Sequence, residues 1–165
     1  MAVWTAAELA PGLWLFVAAA DGALRRAAFS SSETALPAGF DPAARRDRDP
    51  VLVQARRELA EYRRGRRRRF EVPFELEGTH FQCEVWKALF RIPWGETRTY
   101  AEIARAVGRP GAARAVGAAA GRNPLPVIVP CHRLVAANGK LGGFSGGIEV
   151  KKRLLELEGV TPGRA

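Results

Sequence analysis

The sequence predicts an α+β chain in two units: a small N-terminal domain of β-sheet and helix over residues 1–75, then a mostly helical domain over residues 76–165. Three observations carry that prediction. Apolar, β-branched and aromatic stretches joined by Asp21-Gly22 dominate the start. A run of arginines between Arg63 and Arg69 interrupts the pattern. Beyond it, two capping boxes, Thr79 with Gln82 and Thr99 with Glu102, each open an apolar run of helical spacing.

In chain order, Leu13 to Val17 and Ala23 to Phe29 read as two strands of a hairpin turning at Asp21-Gly22. Residues 30–49 read as loop, being rich in Ser, Pro, Ala, Arg and Asp. Asp49-Pro50 is a helix start, a capping carboxylate followed by proline in the first turn. Leu52, Ala55, Leu59 and Tyr62 supply the apolar face of that helix, and Gly65 stops it. No polar constellation in this unit reads as a site, so its expected role is structural. The arginine run reads first as a solvated linker, with a phosphate-contacting strip as the functional alternative.

In the second unit, Phe81, Val85, Ala88 and Leu89 face the core from one helix, and Pro93 and Gly95 end it. Ile103, Ala104 and Val107 do the same from a shorter one. Gly108 to Gly111 makes a tight turn into a helix over 112–120, which is helix-turn-helix spacing. That last helix is nearly bare: Ala113, Ala115 and Gly117 are small, and Arg114 is the long polar side chain of its first half. A bare helix lets its backbone approach another surface closely. Val127-Ile128-Val129 reads as a short buried strand delivering Pro130-Cys131-His132-Arg133. Asn138-Gly139 is a turn signal, and Gly142, Gly143, Gly146 and Gly147 surround Phe144 and Ser145 in a loop. A final helix runs from about 148 to 158.

Composition narrows the function. The net charge of +9, carried mainly by arginine, points to a polyanionic partner. Two cysteines make no disulfide framework and suit a reducing compartment. No finger-like spacing of Cys and His suggests a metal, no nucleotide fingerprint suggests a cofactor, and no apolar run is long enough for a bilayer. Cys131 beside His132 reads, on the pair alone, first as a buried cysteine next to an ordinary histidine and otherwise as a nucleophile with its base. A thiol is a nucleophile only as thiolate, and an adjacent imidazole can lower its pKa.

The residues from Gly78 to Gly159 resemble a known family. The matching pieces are Gly78-Thr79, Phe81-Gln82, Val85-Trp86, Ile92-Pro93, Gly95-Glu96-Thr97, Tyr100, Ile103-Ala104, Ala113 to Gly117, Asn123-Pro124, Pro130 to Arg133, Gly142, Ser145 to Gly147, Lys151, Leu154-Leu155 and Glu158. In these the chain resembles the O6-alkylguanine-DNA alkyltransferases, also called methylated-DNA–protein-cysteine methyltransferases. The resemblance implies a winged helix-turn-helix domain carrying the active-site cysteine, and single-turnover transfer of an alkyl group from O6-alkylguanine, with O4-alkylthymine as a further substrate candidate. It implies Cys131 as nucleophile, His132 as base through a water, Glu158 as its orienter, Tyr100 as donor to the leaving guanine and Asn123 as brace of the Cys131 turn. It implies a DNA- and base-binding set of Arg114, Ala113, Ala115, Gly117, Ser145, Gly146, Phe144, Arg133 and Lys151. Arg114 would fill the gap left by a flipped alkylated guanine while its helix lies in the minor groove of double-stranded DNA.

Phe144 stands where other members often carry tyrosine, which bears on how the base is held. Some members hold zinc in the N-terminal unit; this chain has no cysteine there. The expected state is a monomer in an intracellular reducing compartment, cytoplasmic and nucleoid-associated if the source is bacterial or archaeal, with cooperative loading on DNA as a further possibility, and no metal or cofactor. Two alternatives stay open: a non-catalytic DNA-binding regulator of the alkyltransferase-like kind, and a cysteine hydrolase. The second is disfavoured because hydrolase Cys and His are usually distant in sequence.

Overall fold

A computed structural model describes residues 2–161. The chain divides into two compact units, Met1–Leu76 and Glu77–Ala165.

The first unit is an antiparallel sheet of β1 (Val3–Ala10), β2 (Leu13–Ala20) and β3 (Ala23–Ser30) with helix α1 (Pro50–Arg63) packed on β1 and β2. The β2–β3 turn is the expected one: Asp21 and Gly22 both take positive φ, as a two-residue hairpin matched to strand twist requires. Strand β1 was not anticipated, because Val3 to Ala10 mixes alanines with Thr5 and Glu8 and its pattern is weak. It forms because β2 is buried on both faces and needs a partner on its other edge. One face carries Trp4, Ala6, Phe16 and Ala18 with Phe40 from the following loop. Both edges are covered, which protects the sheet from pairing with another chain. Arg46 N–H donates to the Trp4 carbonyl on the β1 side, and Leu24 exchanges backbone bonds with Pro73 and Glu75 on the β3 side.

Helix α1 begins as read: Asp49 accepts from the Val51 and Leu52 amides, and Gly65 sits at φ +70 just past the end. Its buried face includes a residue the periodicity did not flag, Glu58, which is fully buried. One Glu58 oxygen accepts from the Glu71 and Val72 amides, and the other from the Gln54 side chain.

The second unit is mostly helical: α2 (His80–Phe90), α3 (Tyr100–Ala106), α4 (Ala113–Gly121) and α5 (Ile148–Leu157), with a two-residue parallel pair of β4 (Arg98–Thr99) and β5 (Leu134–Val135). Both capping boxes are complete, each with the threonine hydroxyl and the acid or amide side chain bonded reciprocally. Helices α2, α3 and α4 pack on one another, and Trp86 Nε1 donates to the Ala119 carbonyl at 2.8 Å, locking α2 to α4. No helix among the described residues is long and apolar enough to cross a membrane.

The expected strand Val127–Val129 is absent. These residues form a buried turn in which Val129 N–H donates to the Leu125 carbonyl and Val127 adopts φ +75. A β-branched residue at positive φ is a true outlier and costs on the order of 1–3 kcal/mol. The apolar run is buried, as its composition demands, but a side chain supplies the hydrogen bonds a sheet would have given. Asn123 accepts from Leu125 N–H and donates to the Val129 carbonyl.

Candidate active site

Cys131 opens a short 3₁₀ turn, Cys131–Arg133, directly after the Asn123-braced turn. The Val129 carbonyl receives both Asn123 Nδ2 and Cys131 N–H, each at 2.8 Å, so one oxygen ties the thiol's backbone to the asparagine. Cys131 lines a cavity of about 200 Å³ together with Tyr100, Gly117, Phe144 and Ser145, with Gly121 and Leu134 among its further walls. That volume lies below the roughly 300–1,000 Å³ of pockets for drug-sized ligands and suits one planar ring system.

Behind the sulfur lies a charged network sealed from solvent. His132 is fully buried, and its Nε2 is 2.6 Å from Glu158 Oε2. Arg133 donates from Nε to Glu158 Oε1 at 2.7 Å, from Nη2 to Oε2 at 3.1 Å, and from Nη1 to the Ile92 carbonyl at 2.5 Å. Burial alone would raise the Glu158 carboxyl, but bonds from His132 and Arg133 outweigh it and hold the pKa at about 2. Burial pushes the His132 imidazole below its ordinary value. The stable arrangement is therefore ionised Glu158 accepting from Nε2–H of a neutral imidazole. That leaves Nδ1 as the basic nitrogen, buried and without a hydrogen-bond partner among the described residues.

Cys131 itself is held as thiol. Burial raises its pKa to about 11, against smaller opposing effects of Asn123 and the Lys151 ammonium. The expectation that an adjacent imidazole depresses the thiol therefore fails for this form: desolvation dominates, and the histidine's acidic partner is Glu158. A thiol held this way would have to lose its proton before it could attack. Burial also lowers Lys151, to about 8.

Two residues expected to face DNA do not. Arg133 is 5 % exposed and committed to Glu158 and Ile92. Lys151 is fully buried and its ammonium donates to the carbonyls of Leu134, Leu141 and Gly143. The motif marks their importance, but both belong to the expected DNA- and base-binding set and instead act as clamps inside the fold. Lys151 fastens the glycine loop that carries Phe144 and Ser145 to β5 and α5.

Of the other expected site residues, Tyr100, Gly117, Phe144 and Ser145 share the cavity with Cys131. Asn123 stands beneath it. On α4, Arg114 and Ala115 are exposed, Ala113 is half-buried and Val116 points inward. Gly146 neighbours Ser145 without lining the cavity. Not anticipated were Ala120, Gly121, Leu134 and Gly143 as walls. The continued small-residue pattern of α4 was the signal for the first two.

Glycines shape the tyrosine's seat. A Cβ on Gly117 would lie 3.3 Å from Tyr100 Cε1, and one on Gly142, at φ +68, would lie 2.6 Å from the Tyr100 hydroxyl. Gly142→Ala is expected to cost roughly 1–3 kcal/mol and to slow the site's chemistry by displacing that hydroxyl. Gly108→Ala is the control, with φ +76 and nothing within 4 Å. Equal activity of the two variants in a transfer assay, after matching for melting temperature, would remove Tyr100 placement as the reason for Gly142.

The model of the 6-O-methylguanine DNA methyltransferase DNA binding domain matches residues 80–160. A methylated-DNA–protein-cysteine methyltransferase of Methanosarcina acetivorans is 54 % identical over 113 residues, 68 % of this chain and 72 % of that protein. The chain belongs to the methylated-DNA–protein-cysteine methyltransferase family. A Mycobacterium tuberculosis methyltransferase of the same name is 57 % identical over 101 residues, 61 % of each chain. The crystal structure of the M. tuberculosis O6-methylguanine methyltransferase superposes with TM-score 0.79 at 42 % identity, covering 96 % of this chain and 93 % of that one. The M. tuberculosis protein called OGT, in complex with DNA, gives 0.76 at 41 % identity, covering 98 % and 95 %. The methyltransferase likeness thus extends through both units, although the sequence alignments cover about three-fifths of the mycobacterial relatives.

Proposed function

We propose that this protein repairs DNA by transferring the alkyl group of O6-alkylguanine irreversibly to Cys131, with O4-alkylthymine as a second substrate. The observation that carries the reading is the joint placement of the Cys131 sulfur at a base-sized cavity and a neutral imidazole held by Glu158 behind it. His132 Nδ1 takes the thiol proton through one bridging water. The thiolate attacks the alkyl carbon; the new S–C bond forms as the C–O bond breaks, and the electron pair goes to O6. Tyr100, whose hydroxyl burial raises in pKa, donates to the ring nitrogen of the departing guanine. Ser145 and nearby loop amides hold the O6 region, and Asn123 keeps the sulfur in line.

DNA is bound by the helix-turn-helix. The bare face of α4 enters the minor groove, and Arg114 occupies the space of the flipped nucleotide, whose extrusion generally costs a few kcal/mol. The proposed working form is a monomer, on the nucleoid in the cytoplasm if the source is bacterial or archaeal. Cys131→Ser tests the assignment: with a duplex carrying one O6-methylguanine, transfer should vanish while duplex affinity stays within about twofold. A methyl adduct on the Cys83 peptide, or on any peptide of this variant, would sink it.

A further inference from the structure

We propose that the arginine run after α1 is a second phosphate-binding surface, which grips the DNA backbone through Arg64, Arg66 and Arg68. This rests on the DNA-directed reading above. The segment 63–69 holds six arginines and no acidic residue. As a solvated linker it would lack fixed structure, yet it is tied down throughout. Gly65 N–H donates to the Tyr62 carbonyl at 3.0 Å and Arg66 N–H to the Glu61 carbonyl at 2.9 Å. Arg67 folds back: its Nε bonds Glu61 at 3.0 Å, its Nη1 bonds the Arg69 carbonyl at 3.0 Å and lies 3.8 Å from buried Glu58. The next residues are anchored too, since Phe70 is buried with its ring 5.5 Å from that of Tyr62, and Glu58 accepts from the Glu71 and Val72 amides at 2.7 and 3.1 Å.

This scaffold spends Arg67 on fixation and leaves its neighbours displayed. Arg63 reaches Glu8 at 3.4 Å, whereas the side chains of Arg64, Arg66 and Arg68 are exposed and have no ion pair or hydrogen bond among the described residues. Compensation of the α1 C-terminal dipole explains one cation in the last turn, and Arg63 supplies it. Further like charges fixed on one short segment repel, which a polyanion relieves. A membrane surface fits poorly, because the run's aromatic residue is buried and the exposed large apolar residues, Leu36, Val53 and Ile148, lie elsewhere in the sequence. Phosphates in a regular array match guanidinium forks held at fixed spacing.

The test is the salt dependence of binding to undamaged duplex by the full-length triple variant Arg64→Gln, Arg66→Gln, Arg68→Gln. Each lost phosphate contact lowers the slope of log affinity on log salt by about 0.9, so a loss of about 2–3 is expected. Transfer from free O6-methylguanine base, which carries no phosphate, reports whether the variant is folded. An unchanged slope, or binding to phosphatidylserine vesicles that the substitutions abolish while duplex binding is untouched, would overturn the proposal. Failure of the unaltered protein to bind duplex or alkylate Cys131 would instead overturn the repair reading.

Discussion

Glu158→Ala is expected to lose about 3–5 kcal/mol of stability, because removing one partner of a buried ion pair strands the other. Here the stranded group is Arg133, whose guanidinium keeps only the Ile92 carbonyl among the described residues. Transfer should fall at the same time on duplex and free base alike, since the imidazole loses the acceptor that fixes its tautomer. Urea denaturation and single-turnover rates report the two losses. Replacing Arg133 and Glu158 together by apolar residues should cost less stability than Glu158→Ala alone; a double variant as unstable as the sum of its parts would contradict the ion-pair account. Acid provides a second check. The Glu158 pKa is depressed to about 2, against about 4.3 for an unperturbed Glu. Its contribution is thus fully present above about pH 4.3 and is lost as pH falls toward 2. The wild type should lose stability over that window more steeply than Glu158→Gln.

Repair should stop at one lesion per active molecule, however large the excess of methylated duplex. A thioether carbon has no good leaving group, and the polar groups that share the cavity with Cys131 or act on its thiol, Tyr100, Ser145, Asn123 and Lys151, offer no activated nucleophile to remove the alkyl group. The spent protein should also be less stable. Cys131 is 4 % exposed, and a methyl group fixed on it that crowds the cavity wall should cost about 1–3 kcal/mol, the usual range for overpacking. Titration with excess duplex, followed by repaired guanine and by thermal melting of the product, measures both. Repair past one equivalent would end the irreversible mechanism; an unshifted melting curve would end only the claim of strain.

Much of this fold was legible because local chemistry decides it. Asp21-Gly22, Asp49-Pro50 and the capping boxes at Thr79 and Thr99 each satisfy backbone groups within a few residues, so the sequence window contains the whole cause. Strand β1 was not legible, since its pairing with β2 follows from burial of β2 and not from its own pattern. Val127–Val129 misled for the opposite reason: burial was right, but Asn123, several residues upstream, supplies the bonds that make a turn of it. At the site, Cys131 beside His132 announced nucleophilic chemistry. The interior positions of Arg133 and Lys151 were hidden, because a basic residue's partners are distant carbonyls and a carboxylate that spacing does not reveal.

The Arg133 contact with the Ile92 carbonyl bears on how such a protein can be altered. Through it Glu158, the proposed orienter of the base, also ties the end of α5 to the segment leaving α2, so under that proposal one ion pair is at once reactive apparatus and framework. An enzyme that cycles must let its machinery relax between rounds. A molecule consumed by its first reaction has no second round to prepare for, and rigidity there carries no kinetic penalty. In a library of random variants, changes at Glu158 and Arg133 should therefore lower abundance and repair together. Cys131, whose side chain takes no part in that ion pair, should be the position where loss of activity and loss of abundance come apart.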